Sequence, residues 1–527
     1  MPAEAQSNPP NHNQAPPQVR RHRSRWRLPI RWTLLLFVGL CAVSAAQHTF
    51  KDLPRGTAVS GAVVALPAND VRFLTDLTHA DAYGRPVVKQ EIFDAVLDVV
   101  AGARDFLVLD WFLFNDQRGA LAPGESYRPL SSQLRDALVA RKQAIPELRV
   151  LLVTDPINDV YGGDPSADLA ALRAAGIDVI LTDLDQLRDS NPIYSGFWRA
   201  AIDWWAGDGT GPGWLPNPLE GGPSRVTFRA WARLLNFKAN HRKLVIGDNS
   251  AGELVGIVAS ANPHDASSAH SNVAIALKGN ALLPLLQSEI EIARFSGWRG
   301  NLRPHEAADD DQPPATFANS SRQLATGKVA RAQALTEGAI KSEVLRRLDA
   351  TTRGDGVDLA MFYLAERSIV EAMLRAAARG VEVRVILDPN KDAFGRSKSG
   401  IPNRPVASEL VAASDGAIKV RWYRTHGEQF HVKLLVIRSG ASVWFTLGSA
   451  NFTRRNLDDF NLEANMAIDV DASTPLAENV TGYFERLWSN RDAPDSEYTA
   501  DYPTWADPSQ SSYWLYRLME GSGVSTF

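Results

Sequence analysis

The sequence predicts an α/β protein built from two pseudo-symmetric lobes, each a mixed β-sheet flanked by helices, with the functional site at the seam between them. Strand-like and helix-like segments alternate along the chain, which is typical of α/β folds. A histidine and a lysine two residues apart begin an apolar strand twice, at His241 and at His431. The sequence DPINDVYG, from Asp155, recurs as DPNKDAFG, from Asp388. Two repeats in the same order indicate an internal duplication.

The N-terminal segment predicts export. Residues 1–31 combine a Pro-, Asn- and Gln-rich stretch with clustered arginines, which predicts a disordered basic tail on the cytoplasmic side. The apolar run over 32–50 predicts a signal peptide or a signal anchor. The rest of the chain would then be exported, to the periplasm, the cell surface or the medium. The single cysteine, Cys41, falls in this run, so the folded body has no thiol for a disulfide or a metal site.

Hydrophobic periodicity places the elements of each half in turn. Apolar residues at helical spacing predict a helix over 90–103, and an unbroken apolar run predicts a buried strand over 106–114. The first half continues with helix 131–144, strand 148–154, helix 166–175 and strand 179–181. The second half repeats this order, with helix 339–350, strand 357–363, helix 368–379 and strand 383–387.

These segments set the domain boundaries. The first lobe is predicted over 51–300 and the second over 331–490, with a Pro- and Asp-containing linker over 301–330 and a C-terminal tail over 491–527. The net charge of −4 gives no general signature of nucleic-acid binding, so no nucleic-acid partner is expected. We expect the protein to be a monomer.

Each histidine–lysine pair is followed by small residues. Residues i and i+2 of a strand point to one face, so each imidazole would stand beside an ammonium. A second strand in each half leads to a small-residue segment, Ser260-Ala261-Asn262 or Ser449-Ala450-Asn451. Small residues let backbone N–H groups approach an anion, and asparagine can donate a hydrogen bond to it. The pattern predicts a phosphate pocket that contains a nucleophile or an acid.

The duplicated pattern resembles the phospholipase D superfamily, which is marked by two copies of an H-x-K-x4-D motif, each followed by a G-S/G-x-N segment. Arg438 stands where the second copy would have its aspartate, and Ala259 replaces the usual glycine of the first small-residue segment. The residues that match the motif are His241, Lys243, Asp248, His431 and Lys433. The resemblance covers most of residues 60–490 and implies a two-lobed fold with its active site at the seam. It also implies a structural role for Asp248.

Two histidines suffice for phosphodiester chemistry without a metal or another cofactor. A neutral imidazole can attack phosphorus to form a phosphohistidine, and a protonated one can donate to the leaving alkoxide. By the family's usual assignment His241 is the nucleophile and His431 the acid and base, although the sequence alone does not order them. Lys243 and Lys433 would neutralise the nonbridging oxygens. Hydrogen bonds to these oxygens are predicted from Asn262, Asn451, Ser260 and Ser449.

A carboxylate is expected to orient at least one histidine, because the two need opposite protonation. Glu463, in the segment FNLEAN, matches the family's downstream acid. In the first half the corresponding place, before Asn272, is predicted to hold His270. The sequence therefore predicts an asymmetric pocket.

An insertion interrupts the first half. Asp155 and Asp388 are 233 residues apart, whereas His241 and His431 are 190 apart, which places 43 extra residues within 186–237. This insertion holds five of the chain's 14 tryptophans. Apolar residues follow one helical face, at Ile193, Phe197, Ala201 and Trp204. The face predicts contact with a membrane interface or an acyl chain, or else a lid packed on its own domain. The aromatic residues after residue 500 are expected to dock on the body.

The resemblance and the export signal together predict an exported, metal-independent phosphodiesterase that hydrolyses or transfers phospholipid head groups. Its partners would be a phospholipid substrate and a membrane surface. Three alternatives use the same chain. They are a cardiolipin synthase-like phosphatidyltransferase, an exported nuclease and, with less support, a lipid-binding protein without activity.

Overall fold

The computed structural model describes residues 27–81, 83–117, 127–219, 223–302, 328–393, 396–491, 497–525 and 527. Most of the predicted basic tail, up to residue 26, and most of the predicted linker, from 303 to 327, lie outside these ranges.

The first lobe contains an eight-stranded sheet in the described part of the chain. Its strands are β2 (Val71–Ala80), β3 (Pro86–Lys89), β4 (Phe106–Trp111), β5 (Arg149–Thr154), β6 (Asp178–Leu181), β9 (Lys243–Asp248), β10 (Leu254–Ala259) and β11 (Asn272–Lys278). Its helices are α2 (Ile92–Gly102), α3 (Leu130–Ala144), α4 (Ala167–Ala174) and α7 (Leu283–Phe295). Between β6 and β9, the insertion adds α5 (Pro192–Ala201), a small hairpin of β7 (Leu215–Pro216) and β8 (Arg225–Val226), and α6 (Phe228–Arg233).

The second lobe contains a nine-stranded sheet among the described residues. Its strands are β1 (Val64–Pro67), β12 (Val329–Thr336), β13 (Gly356–Met361), β14 (Glu382–Leu387), β17 (Lys419–Tyr423), β18 (Lys433–Ser439), β19 (Ser442–Gly448), β20 (Ala464–Asp471) and β21 (Thr499–Asp501). A separate hairpin pairs β15 (Asp392–Ala393) with β16 (Arg396–Ser397). The helices are α8 (Gly338–Asp349), α9 (Arg367–Ala378), α10 (Asn403–Ala413), α11 (Arg454–Leu457), α12 (Pro475–Trp488) and α13 (Gln510–Ser522).

The two sheets share one strand order, so the predicted fold class is confirmed. The first runs β3-β2-β11-β10-β9-β4-β5-β6, and the second runs β1-β12-β20-β19-β18-β13-β14-β17-β21. From β2 to β6 and from β12 to β17 the strands correspond one to one, with parallel pairing among the last three of each run and antiparallel pairing elsewhere. The edge strands β3, β1 and β21 lie outside this correspondence. Strand β1 falls within the range predicted for the first lobe, 51–300, but it pairs with β12 of the second lobe.

The two sheets pack face to face, with α7 and α12 contacting both of them and the other helices of the lobes on their outer faces. The central apolar cluster lies between the sheets and takes side chains from both, as well as from α7 and α12. A second cluster packs α8, α9 and α10 on the outer face of the second sheet, and a third packs α2, α3 and α4 on the first. Burial of this size is the main source of stability. The central cluster also holds the two sheets, and therefore the two lobes, against each other.

Helix α1 (Arg27–Thr49) precedes the lobes and packs along α5 of the insertion. The window Arg31–Thr49 is the one stretch of the described residues that is long and apolar enough to cross a membrane, and 6% of it is buried. Two of the aromatic residues near the C-terminus differ in environment. Tyr516 docks on the body as predicted, but Trp514 is 64% exposed.

Candidate active site

The two histidines of the repeated motif meet at the seam because each lobe carries one just before a central strand. His241 precedes β9 and His431 precedes β18. The backbone N–H of His241 donates to the carbonyl of Leu462 in the other lobe, at 2.9 Å. Near His431, the N–H of Ser271 donates across the seam to the carbonyl of Gln429, at 3.1 Å. Both motifs are therefore attached by backbone hydrogen bonds to the opposite lobe.

The aspartates of the repeated DP sequences hold these strand starts in place. The Asp155 carboxylate accepts the backbone N–H of Asn240, at 2.8 Å, and the Asp388 carboxylate accepts that of Phe430, also at 2.8 Å. Each acceptor bonds the residue immediately before a motif histidine. Both carboxyls are buried, and burial raises the pKa of Asp155 to about 7 and of Asp388 to about 6. The aspartates of the repeated DP sequences thus position the repeated histidine–lysine motifs.

A cavity of about 340 Å³ opens between the lobes and contains both imidazoles. The other side chains around it come from both lobes and are mostly aromatic, amide or cationic. They include Phe112, Phe237, Phe362, Tyr363, Phe527, Asn262, Asn451, Asn456, Lys398 and Arg455. The rings of Phe112 and Phe362 pack against His241 and His431, with centroids 4.8 Å and 5.0 Å apart. The two halves of the cavity are thus built alike.

His241 is oriented by a carboxylate from the opposite lobe. Its Nδ1 lies 2.9 Å and 3.0 Å from the two carboxylate oxygens of Glu463. The hydroxyl of Ser449 and the amide of Asn456 also donate to this carboxylate. Burial lowers the pKa of His241 to about 4, although the charge of Glu463 acts in the opposite direction. The imidazole is therefore neutral near pH 7, with Nδ1 donating and Nε2 free to attack.

His431 is oriented by an amide instead. Its Nδ1 lies 3.1 Å from Oδ1 of Asn272, which also accepts the hydroxyl of Ser260 at 3.1 Å. The amide nitrogen of Asn272 donates to the carbonyl of His270, which fixes the side chain's orientation. Burial and the charge of Lys433 hold the pKa of His431 well below its usual value.

The strand register corrects the predicted counterpart of Glu463. Ala259 pairs with Ala274 in the first sheet and Gly448 pairs with Asn465 in the second, which makes Asn272, not His270, the counterpart of Glu463. The sequence comparison aligned Asn272 with Asn465, which is two residues out of register, and so matched His270 to Glu463. His270 instead accepts the N–H of Gln429 on its Nδ1, at 3.2 Å.

The motif lysines lie beneath the cavity floor, fully buried. Each ammonium donates to the carbonyl of its own motif histidine, Lys243 at 2.6 Å and Lys433 at 3.0 Å. Each also lies 5.1 Å from the ring centroid of Phe112 or Phe362. Burial lowers the pKa of Lys243 to about 7, and burial together with Lys243 lowers that of Lys433. An arriving phosphate would stabilise both in the charged form.

The predicted phosphate-binding residues divide into two pairs. Asn262 and Asn451 line the cavity, and Asn262 accepts the N–H of Leu113 on its Oδ1, so its amide nitrogen remains for a ligand. Ser260 and Ser449 lie behind the cavity and are fully buried. Their hydroxyls donate to the partners of the two histidines and accept backbone N–H groups at 3.0 Å. The structure thus places the serines behind the cavity, where they support the partners of the histidines.

The remaining motif position lies outside the cavity. The Asp248 carboxylate accepts the N–H groups of residues 104, 105 and 106, between α2 and β4. At the equivalent place in the second lobe, Arg438 pairs with the buried carboxylate of Asp358 at 2.9 Å and with Glu382 at 3.1 Å. One lobe uses a carboxylate to hold backbone, and the other uses an ion pair between strands.

Several cavity residues were not predicted from the sequence. Phe112 and Phe362 could have been found, because they end the strands already recognised as repeats. Lys398 and Arg455 carry no repeat pattern, and they reach the cavity from loops and from α11. The Lys398 ammonium meets the hydroxyl of Tyr363. Burial lowers the pKa of Arg455 to about 10, so it stays charged at neutral pH.

Comparison with known proteins agrees with this architecture. Residues 344–488 match the family described as "Cardiolipin synthase, PLD-like domain". No curated protein sequence matches the chain. Among solved structures, phosphatidylserine synthase from Haemophilus influenzae Rd KW20 covers 92% of this chain and 98% of its own, with 11% sequence identity and a TM-score of 0.51. This likeness shows the fold over nearly the whole chain.

Two further structures resemble parts of the molecule less closely. The phospholipase D family member Nuc from Salmonella typhimurium covers 33% of this chain and 98% of its own, at 20% identity and a TM-score of 0.25. Polyphosphate kinase from Porphyromonas gingivalis covers 86% of this chain and 53% of its own, at 13% identity and a TM-score of 0.41.

Proposed function

We propose that the chain is a phospholipase D-like enzyme, an exported phosphodiesterase that hydrolyses or transfers phospholipid head groups through a phosphohistidine. One observation carries this proposal. Two imidazoles from different lobes line the same cavity, and each is fixed through Nδ1, which leaves both Nε2 atoms for a reacting group.

The different partners of the two histidines support an assignment of roles. Attack by Nε2 of His241 on phosphorus makes its ring positively charged, and the Glu463 carboxylate on Nδ1 stabilises that charge. His431 has a neutral amide on Nδ1, which keeps its imidazolium more acidic and a better proton donor to the leaving alkoxide. After the alcohol leaves, neutral His431 takes a proton from water or from an acceptor alcohol. That nucleophile then displaces His241 from phosphorus.

Charge in the cavity supports an anionic substrate. The cavity is lined or underlain by four cationic side chains, those of Lys243, Lys433, Lys398 and Arg455. The carboxylate of Glu463 contacts one motif histidine, His241. The negative charge of a bound phosphodiester would offset the mutual repulsion of these cations. The cations would stabilise the more highly charged transition state most strongly. The aromatic wall favours a substrate with an apolar body. Together with the N-terminal apolar helix, this favours a phospholipid.

A phosphatidyltransferase of the cardiolipin synthase kind is the second candidate. The family matched by residues 344–488 carries that name, and the same two histidines would serve when the acceptor is a lipid alcohol. Incubation of the purified protein with mixed phospholipids, followed by mass spectrometry of the products, separates the two. Phosphatidic acid indicates hydrolysis, and cardiolipin formed from phosphatidylglycerol indicates transfer. Cleavage of DNA with no change in lipid would contradict both.

The assignment of the two histidines is tested with a substrate whose nitrophenol leaving group needs no proton donor. We expect His431→Ala to release nitrophenol in one burst and to accumulate a phosphoryl group on His241, because the acid and base for the second step is missing. We expect His241→Ala to give no burst. His426→Ala, at a histidine outside the cavity, serves as the control and should behave like the unmodified protein. A burst in His241→Ala and none in His431→Ala would reverse the roles.

A further inference from the structure

Helix α1 and helix α5 form one structural unit, which we call the anchor pair (residues 27–49 and 192–201). Gly196 faces α1 so closely that a Cβ there would lie 2.5 Å from the carbonyl of Cys41 and 3.1 Å from Cβ of Ala45. The ring of Phe37 meets that of Phe197 edge-on, with centroids 6.2 Å apart. Packing this close means that α5 is shaped to fit α1, and removal of α1 would expose the contact surface of α5.

Polar contacts fix the same pair to the first lobe. Arg199 donates to the hydroxyl of Ser44 at 2.8 Å and forms an ion pair with the fully buried carboxylate of Asp189. Asp189 also pairs with Lys238 at 2.9 Å, and its backbone N–H donates to the carbonyl of His48 at 3.1 Å. Removal of a signal peptide after export would leave Arg199 without Ser44, and the backbone N–H of Asp189 without the carbonyl of His48.

The outward surface of the anchor pair is apolar and continuous. On α1, the large apolar residues more than half exposed are Trp32, Leu34, Leu35, Leu36, Val38, Leu40 and Val43. The surface continues onto Ile193 and Phe197 of α5, which are 70% and 43% exposed. The loop after α5 adds the exposed tryptophans 204, 205 and 214. Patches of this size on soluble proteins mark interaction sites.

A lipid bilayer fits this surface better than a protein partner does. The 19-residue window of α1 rises about 29 Å, close to the roughly 30 Å of a hydrocarbon core. Tryptophans cluster beside it, as they do at membrane–water interfaces. We propose that the anchor pair is a permanent membrane anchor, in which α1 is retained and α5 packs along its C-terminal half in the leaflet that faces the lobes.

The anchor pair is also connected to the cavity. At the start of α5, Asn191 donates to the carbonyl of Leu235 at 2.9 Å, and Ser190 donates to that of Phe237 at 2.7 Å. Within α5, Tyr194 donates to the carbonyl of Ala232 at 2.7 Å. Phe237 lines the cavity. A bilayer that holds α5 therefore lies next to one wall of the site.

The first test is the intact mass of the full-length protein extracted from membranes. Retention of α1 predicts the mass of a chain that still includes residues 27–49, up to 57.7 kDa for the whole sequence. A mature protein that begins after residue 49 would overturn the proposal. The measurement does not depend on activity, so it can fail or succeed independently of the proposed reaction.

The second test measures contact between α5 and lipid. A fluorophore on Ile193→Cys is compared with one on Tyr83→Cys, which is 83% exposed at a turn between β2 and β3, both in a Cys41→Ala background. The full chain is reconstituted in phosphatidylcholine–phosphatidylglycerol vesicles that carry doxyl-labelled acyl chains. We expect quenching several-fold stronger at position 193. Equal quenching at the two positions, including the case in which a second copy covers α5, would overturn the proposal.

Discussion

The two histidines differ in one neighbouring side chain, and that difference separates their chemistry. Glu463 and Asn272 occupy the same register position in their sheets, and each receives Nδ1–H from the histidine of the other lobe. A carboxylate stabilises a charged ring, whereas an amide only orients it. A carboxylate on one histidine and a shorter, neutral amide on the other thus make two equivalent imidazoles unequal.

Glu463→Gln should shift the acid limb of the pH profile of kcat/KM to lower pH. In the free protein His241 must be neutral, which holds above a pH of about 4. Burial sets this low value, and the charge of Glu463 raises the pKa of His241. Without that charge the pKa falls, so the acid limb moves to lower pH. On the alkaline side both Lys243 and the proton donor His431 must be charged, and burial lowers the pKa of each. An acid limb that stays in place while the rate falls would contradict this account.

This shift is measured with a soluble short-chain substrate, so that vesicle charge does not enter. Glu371→Gln is a matched control, because the Glu371 side chain is 56% exposed on the surface. It should leave both limbs unchanged.

Asn272 is predicted to act through His431 as a positioning residue. Asn272→Ala removes the acceptor of Nδ1–H, and we expect kcat to fall by about 10–100-fold with little change in KM. Asn272→Asp keeps the acceptor and adds a charge that raises the pKa of His431. We expect it to retain most of the rate and to extend activity to higher pH. Equal loss in both variants, with no change in the pH profile, would indicate a role in folding alone.

At the scale of elements, periodicity predicted the repeated strands and helices within a few residues. The predicted helix 131–144 is α3, and the predicted strand 357–363 is β13, two residues shorter at its end. Both elements could be predicted because their buried residues follow a regular apolar pattern in the local sequence. The pairing of β1 with the second lobe, and the packing of α1 on α5, depend on contacts between distant segments that no local pattern carries.

The sequence predicted the two histidines that share the cavity, their lysines and Glu463, but it missed other residues that support them. His241, His431 and their lysines appear in a repeated motif because both lobes need them. Asn272 was missed because the loop from residue 262 to β11 is shorter than its counterpart, and the register is set by backbone pairing. Arg455 was missed because it lies on a short helix without a repeat.

Restoring the family's aspartate at position 438 should destabilise the protein. Arg438 neutralises Asp358 and Glu382 across neighbouring strands. An aspartate there would bring three carboxylates together, and we expect Arg438→Asp to lower the free energy of unfolding by about 1–3 kcal/mol. The cavity is elsewhere, so kcat/KM should not change. Urea unfolding measures the loss. A variant as stable as the parent would show that this ion pair contributes nothing.

At the scale of the whole molecule, a buried charge network links the two lobes behind the site. Arg242, between the motif residues of the first lobe, is fully buried and pairs with Glu289 of its own lobe at 2.8 Å. It also pairs with Glu337 of the second lobe at 2.7 Å. Glu337 in turn accepts the backbone N–H of Glu463, at 3.1 Å. The Glu337 side chain therefore joins the lobes through Arg242 and also holds the backbone of Glu463, the partner of His241.

Arg242→Met should destabilise both lobes together, by about 3–5 kcal/mol, because it leaves two buried carboxylates without a cation. Burial already raises the pKa of Glu337 to about 7, and loss of Arg242 raises it further. A carboxyl whose folded pKa is raised loses stability as pH rises from its unfolded pKa of about 4.3. The loss should therefore be larger at pH 8 than at pH 5. The triple variant Arg242→Met, Glu289→Gln, Glu337→Gln should recover most of it. A loss that does not depend on pH, or a triple variant that recovers none of it, would contradict a coupling of the lobes through this network.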